Sequence, residues 1–288
     1  MQDQIYLKPT NLNAALDYLT EFPEATLWAG GTDLVVKLEH KRIKVSAIID
    51  LTRVPELNYI EETDAGTVKI GALSNINAIE YSPLVRKEFP LLAQAAHFLG
   101  SWQIRTLATI GGNLVTAAPS AETAAPLLVL GATMVARSKQ EERRIPAHLF
   151  FKGPGQTALL PGEILKEIEI PKLPQGSKSI YLKESLRRSM DIALASMGCV
   201  LKLDGDQCRE VRIGLGAVAP VPMRADETEA LLNGHIMTDE IIGKAALKAA
   251  EECKPIDDIR ATAVYRRELV QTMVQKALIS LWKDGEEQ

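Results

Sequence analysis

Two rhythms of apolar residues alternate along the first fifty or so positions. "IYLKP" (5–9) reads as a short strand that Pro9 ends. "TNLNAALDYLTEFP" follows as a helix, with Thr10 or Asn11 at its N-cap and Leu12, Ala15, Leu16 and Leu19 on one face. "ATLWAG" is a buried strand that breaks at Gly30-Gly31, after which Thr32 or Asp33 caps a helix carrying Leu34, Val35 and Leu38 at helical spacing. "SAIIDL" is a further strand, so the opening has a βαβ-like pattern.

"GTVKIGAL" then alternates with period two, and helical patterns occupy 75–88 and 90–100. A second pair of glycines, in "RTLATIGGNLVTAAPS", predicts another sharp turn, followed by a helix over about 121–130 and strands near 132–137 and 164–170. "IPKLPQGSKS" (170–179) has the prolines, glycine and serines of a domain boundary. Beyond it lie strand-like runs at 179–186, 194–203 and 211–218, with "DGDQ" (204–207) as a hairpin turn. Helical patterns follow at 226–232, 239–253 and 261–282; strands and then helices make an α+β domain.

The chain's 288 residues suit two domains, and 46% apolar with 24% charged residues is the balance of a water-soluble globular protein. A net charge of −4 without a dense Lys/Arg block argues against nucleic acid or an anionic membrane as main partner. The longest apolar run (124–136) is interrupted by Pro126 and Gly131 and is too short to span a bilayer. The N-terminal stretch has neither a basic start nor a continuous apolar core, so no secretory signal is expected and the cytoplasm is the expected compartment. Cys199, Cys208 and Cys253 form no CxxC, and the four histidines form no HxxxH pair. A cluster held by thiolates usually takes four, so no metal of its own is expected here.

The two glycine pairs carry the candidate chemistry. A glycine turn points successive backbone N–H groups into one concavity and lets a phosphate approach closely; a following Thr adds a hydroxyl donor. Two such turns from separate segments suit a diphosphate gripped from both sides. "GGTDLV" lacks G-x-G-x-x-G spacing and no G-x-x-x-x-G-K-[ST] occurs, so spacing alone reaches phosphate binding and no further.

"LWAGGTDLVVKL", "RTLATIGGNLVTAAPSAETAAPLLVLGA", "GEILKEIEIP", "KESLRRSMDIALAS" and "RIGLGAVAPVPMRADETEALLNG" occur in that order. Together they resemble the FAD-binding subunit of the molybdenum hydroxylases, the family of xanthine dehydrogenase and molybdenum-type carbon monoxide dehydrogenase. The similarity runs nearly end to end, from "YLKPTNLNAALDYL" to "DIRATAVYRRELV". It implies an α+β chain: a two-subdomain FAD-binding domain of the vanillyl-alcohol oxidase type over 1–173, split near 55–60, and an α+β C-terminal domain over 178–285 with a small antiparallel sheet and helices.

It also implies a site. Leu27, Trp28, Ala29, Gly30, Gly31, Thr32, Asp33 and Leu34 would wrap the FAD pyrophosphate from one side, with the amides of Gly30, Gly31 and Thr32 as donors. Thr109, Ile110, Gly111, Gly112 and Asn113 would hold it from the other. Glu122 would meet the ribose or adenine half, Leu165 would lie against the flavin end, and Lys183 would stand near the flavin as a cation. The resemblance has two departures: the family's Ser-Pro-x-x-Asp-Thr reads Ala118-Pro119-Ser120-Ala121-Glu122-Thr123 here, losing a hydroxyl at 118 and lengthening the acid at 122, with Ser120 as a candidate substitute. Arg187 or Arg188, beside Asp191, would meet the phosphates of an incoming NAD.

The implied partners are a [2Fe–2S] iron–sulfur subunit and a molybdenum-cofactor subunit, in a dimer of heterotrimers. Electrons would pass from the clusters to FAD and on to NAD or another acceptor. The absence of any cluster motif in this chain agrees with that division. The rival readings are a self-sufficient flavin oxidase, which requires a general base near the flavin, and an assembly module whose flavin site has decayed.

Overall fold

A computed structural model describes residues 5–187 and 189–283. Three hydrophobic cores organise it. The first belongs to a parallel sheet in which strand Ala47–Asp50 lies between Ile5–Leu7 and Thr26–Trp28. The helix Leu12–Glu21 is capped by Asn11, whose side chain accepts from the Ala14 amide at 2.8 Å. Its predicted apolar face is present: Ala15, Leu16 and Leu19 are buried with Ile49, Leu51 and Leu57, and Leu12 packs at the edge. The next helix, Leu34–Glu39, departs from expectation because none of its residues is buried. Its apolar spacing is real, but it is six residues long and covers no core, leaving Val35 and Val36 exposed.

The second core lies under a five-stranded antiparallel sheet ordered Ile60–Glu62, Val68–Gly71, Ile164–Ile170, Thr133–Arg137, Glu142–Pro146. The helices Ile76–Tyr81, Pro83–Glu88, Pro90–His97, Trp102–Leu107, Ile110–Val115 and Ala124–Val129 belong to the same region. The predicted helix over 75–88 is divided at Ser82, which caps the second half with Pro83 in its first turn. Strand Glu142–Pro146 has no counterpart in the sequence reading, because only Ile145 of its five residues is buried and no period-two apolar signal exists.

On this sheet Glu167 is 1% exposed. It accepts from the Tyr59 hydroxyl and from Lys69 Nζ at 3.0 Å. Burial, then the hydrogen bond to this carboxylate, pushes the Tyr59 phenol far above its ordinary range, so Tyr59 is a fixed donor. Tyr59→Phe leaves a buried carboxylate one donor short and is expected to cost about 1–3 kcal/mol, read as a lowered thermal unfolding midpoint; an unchanged midpoint would show that Lys69 and Lys166 together satisfy Glu167.

The third core belongs to an antiparallel meander, Lys178–Glu184, Ala195–Asp204, Gln207–Gly216 and Met223–Arg224. Helices Asp226–Leu232, Asp239–Glu252 and Ala263–Lys283 pack with it. The hairpin predicted at 204–207 closes on Gly205, at φ 57°, and Asp206. All three cysteines are buried and unpaired, and burial pushes the Cys208 thiol up to about 11, so these are packing thiols.

Arg266, 3% exposed, ties this domain together by donating to the carbonyl oxygens of Leu194 and Ala217 and to Asp258. Burial raises the Asp258 carboxyl, but hydrogen bonds from the Arg260 and Ala261 amides and the Arg260 and Arg266 guanidiniums outweigh it and hold the group at about 2. A depressed carboxylate contributes stability above its unfolded value, near 4, and loses it as pH falls toward 2. Asp258→Asn is therefore expected to flatten that acid limb of the stability–pH curve, measured by denaturant midpoints; an unaltered limb would remove Asp258 from the account.

Candidate cofactor site

The two glycine segments meet. A Cβ placed on Gly30 would fall 1.9 Å from the Leu107 carbonyl oxygen and 3.0 Å from the Ala108 Cα, so the first bend lies directly on the chain leading into the second segment. Gly31 sits at φ 71°, the left-handed region that favours glycine, above the Trp28 ring.

The second glycine pair is not a turn. Gly111 and Gly112 lie in the helix Ile110–Val115, and the Thr109 hydroxyl caps it by accepting from the Gly112 amide at 3.0 Å. The amides of Ile110, Gly111 and Asn113 donate to the carbonyl oxygens of Ser74, Ala72 and Thr109. Glycine's poor helix propensity made a turn the natural expectation. What calls for glycine at 111 is packing: a Cβ there would fall 2.7 Å from both the Cβ and the carbonyl oxygen of Ala72.

The first segment is different. The amides of Gly30, Gly31, Thr32, Asp33 and Leu34 donate to no protein acceptor among the described residues. These residues line a cavity of about 450 Å³ together with Leu27 and Ala29, and Thr109, Gly112 and Asn113 line it from the other side. Across the same cavity the Thr116 hydroxyl reaches the Asp33 carboxylate at 3.4 Å. The Asn113 amide oxygen is held by the Thr123 hydroxyl at 2.6 Å. Trp28, Ile110, Gly111, Glu122, Leu165 and Lys183 do not line it. Ile110 and Leu165 are buried in the second core, with Leu165 opposite Ala136 on the neighbouring strand.

Lys37, Ile43, Leu99, Val115 and Thr116 also line the cavity and were not singled out in the sequence, while Ala118, the position of the lost hydroxyl, lines it too. The one local signal was Lys37, four residues after Asp33, with which it pairs at 2.6 Å. That pair leaves the wall close to neutral, so the attraction for an anion comes from backbone dipoles.

Lys183 and Glu122 are brought together elsewhere. Their side chains are 3% and 13% exposed and pair at 2.9 Å. Lys183 Nζ also donates to the carbonyl oxygens of Phe98 at 3.0 Å and Asp191 at 2.9 Å, which uses all three of its donors. Arg187 is exposed, bonded to Met190 O and near the Asp191 carboxylate; Arg188 lies outside the described residues. Ser120 is half-buried, one residue past Pro119 and two past Ala118.

A run of free amides, a glycine that permits close approach and a cavity between two segments fit the diphosphate of a dinucleotide. Residues 1–173 match the family described as the FAD-binding domain in molybdopterin dehydrogenase, and residues 180–281 match the carbon monoxide dehydrogenase flavoprotein C-terminal domain. The glyceraldehyde dehydrogenase medium chain of Sulfolobus acidocaldarius is 34% identical over 94% of this chain and 96% of its own. The xanthine dehydrogenase FAD-binding subunit of Escherichia coli O157:H7 is 30% identical over 95% and 94%. Among solved structures, a carbon monoxide dehydrogenase from Hydrogenophaga pseudoflava superposes with a TM-score of 0.93 at 32% identity, covering 98% of both chains. The chain belongs to the FAD-binding medium subunits of the xanthine dehydrogenase and carbon monoxide dehydrogenase family, and is thus an FAD-binding oxidoreductase subunit.

Proposed function

We propose that residues 27–34 and 109–113 hold the FAD diphosphate between them, and that this chain carries electrons from a [2Fe–2S] partner chain to NAD or another acceptor. The observation that carries the binding role is the run of five amides, Gly30 to Leu34, on the wall of the cavity, with no protein acceptor among the described residues. Phosphate oxygens supply the missing acceptors, and Gly31 keeps that wall free of a side chain. Bound FAD supplies the chemistry of taking electrons singly and releasing two as hydride. The protein binds and orients the cofactor, excludes water from it and sets its surroundings.

In this reading the substrate is oxidised at a molybdenum-cofactor subunit, and the assembly is a dimer of heterotrimers. Within the described residues, 5–173 bind the cofactor in this reading, while 178–283 close over its reactive end.

The test uses the FAD-loaded chain with its reduced iron–sulfur partner. Flavin bleaching on mixing, followed by reoxidation on adding NAD or a quinone, is the expected result. Bleaching of the isolated chain by a small hydroxylated organic substrate, without the partner, would instead make it a self-sufficient oxidase. A purified chain that stays colourless with excess FAD would overturn the binding role itself.

A further inference from the structure

A second cavity, of about 300 Å³, lies where the segment after the cofactor wall meets the C-terminal domain. Lys254, Arg260 and Arg266 line it with one carboxylate, Asp258, so three cations face a single acid. That acid is already taken: Oδ1 accepts from the Arg260 and Ala261 amides and Arg266 Nη2, and Oδ2 accepts from Arg260 Nη1 at 2.8 Å. The Lys254 ammonium has no ion-pair partner among the described residues, and Arg266 Nε is buried with no acceptor. Ser120 adds a hydroxyl without a protein partner among the described residues. The remaining wall is apolar, made by prolines, alanines, Ile192 and Ile256.

We propose that this cavity binds a small organic carboxylate, its apolar body against Ile192 and the prolines and its charge between Lys254 and Arg260. The unpaired Lys254 ammonium and the guanidinium donors that Asp258 leaves free on Arg260 recognise the carboxylate, while the apolar part of the wall disfavours fully hydrated anions. The cavity is separate from the cofactor cavity, with which it shares no lining residue, so the proposal stands independently of the diphosphate assignment.

Benzoate is the probe, titrated calorimetrically into the FAD-loaded chain with its cofactor site saturated. Saturable one-to-one binding is expected, weakened about tenfold or more in Lys254→Gln/Arg260→Gln and unchanged in Lys44→Gln, an exposed lysine that does not line this cavity. Lys254→Gln alone, at an exposed side chain, gives the same sign of effect should the double variant fold poorly. No saturable heat, or equal affinity in Lys254→Gln, would overturn the assignment. Inorganic phosphate displacing benzoate at equal concentration would overturn it too, since charge alone would then account for binding. Flavin absorbance, recorded throughout, separates these outcomes from loss of FAD.

Discussion

Gly30→Ala is expected to give a folded protein that has lost most of its FAD. The added methyl would stand 1.9 Å from the Leu107 carbonyl oxygen and 2.6 Å from the carbonyl carbon, both main-chain atoms with no rotamer to escape into. Relief requires the two cofactor-lining segments to part. Strain of about 3 kcal/mol for such overpacking, placed where both walls must meet one ligand, weakens binding about a hundredfold. The measurement is flavin absorbance per protein together with far-ultraviolet circular dichroism. Retained flavin at ordinary affinity would mean that contact of the walls at Gly30 is not needed. Gly243→Ala, inside the helix Asp239–Glu252 with nothing within 4 Å of its Cβ, is the control of opposite sign; it is expected to add up to about 1 kcal/mol of stability.

Much of this was legible in sequence because its causes are local. The parallel opening, the meander of the C-terminal domain and its three helices follow from apolar period and turn residues, and their bounds differ from expectation by one to three residues at most ends. The Gly30-Gly31 break was legible too, since only a strand-to-helix turn explains two glycines between "ATLW" and "LVVKL". The second glycine pair misled because its reason is not local: Gly111 is small so that a helix can lie on Ala72, thirty-nine positions earlier. Strand Glu142–Pro146 was hidden for a related reason, its outward side being held by ion pairs such as Arg144–Glu169 rather than by apolar contacts.

The Lys183–Glu122 pair shows the same limit most sharply, and it yields the largest expected effect on stability. Each residue reads in sequence as a contact to the cofactor, and neither suggests the other across sixty-one positions. In the structure Lys183, on strand Lys178–Glu184, is fastened to Glu122 and to Phe98 O, both before the domain boundary, and to Asp191 O beyond its own strand. Lys183→Met is isosteric enough to keep the packing but strands a carboxylate that is only 13% exposed. Removing one partner of a buried pair costs about 3–5 kcal/mol, whereas an exposed pair would cost less than about 1. Lys183→Met/Glu122→Leu, which removes both charges, is expected to recover most of that loss, because the penalty lies in the orphaned charge more than in the missing attraction. Denaturant midpoints of the FAD-saturated proteins measure both. A single variant as stable as the parent would make the pair incidental, and a double variant no better than the single would place the loss in the two carbonyl contacts, with the junction of the domains held by Lys183 as a donor rather than as a charge.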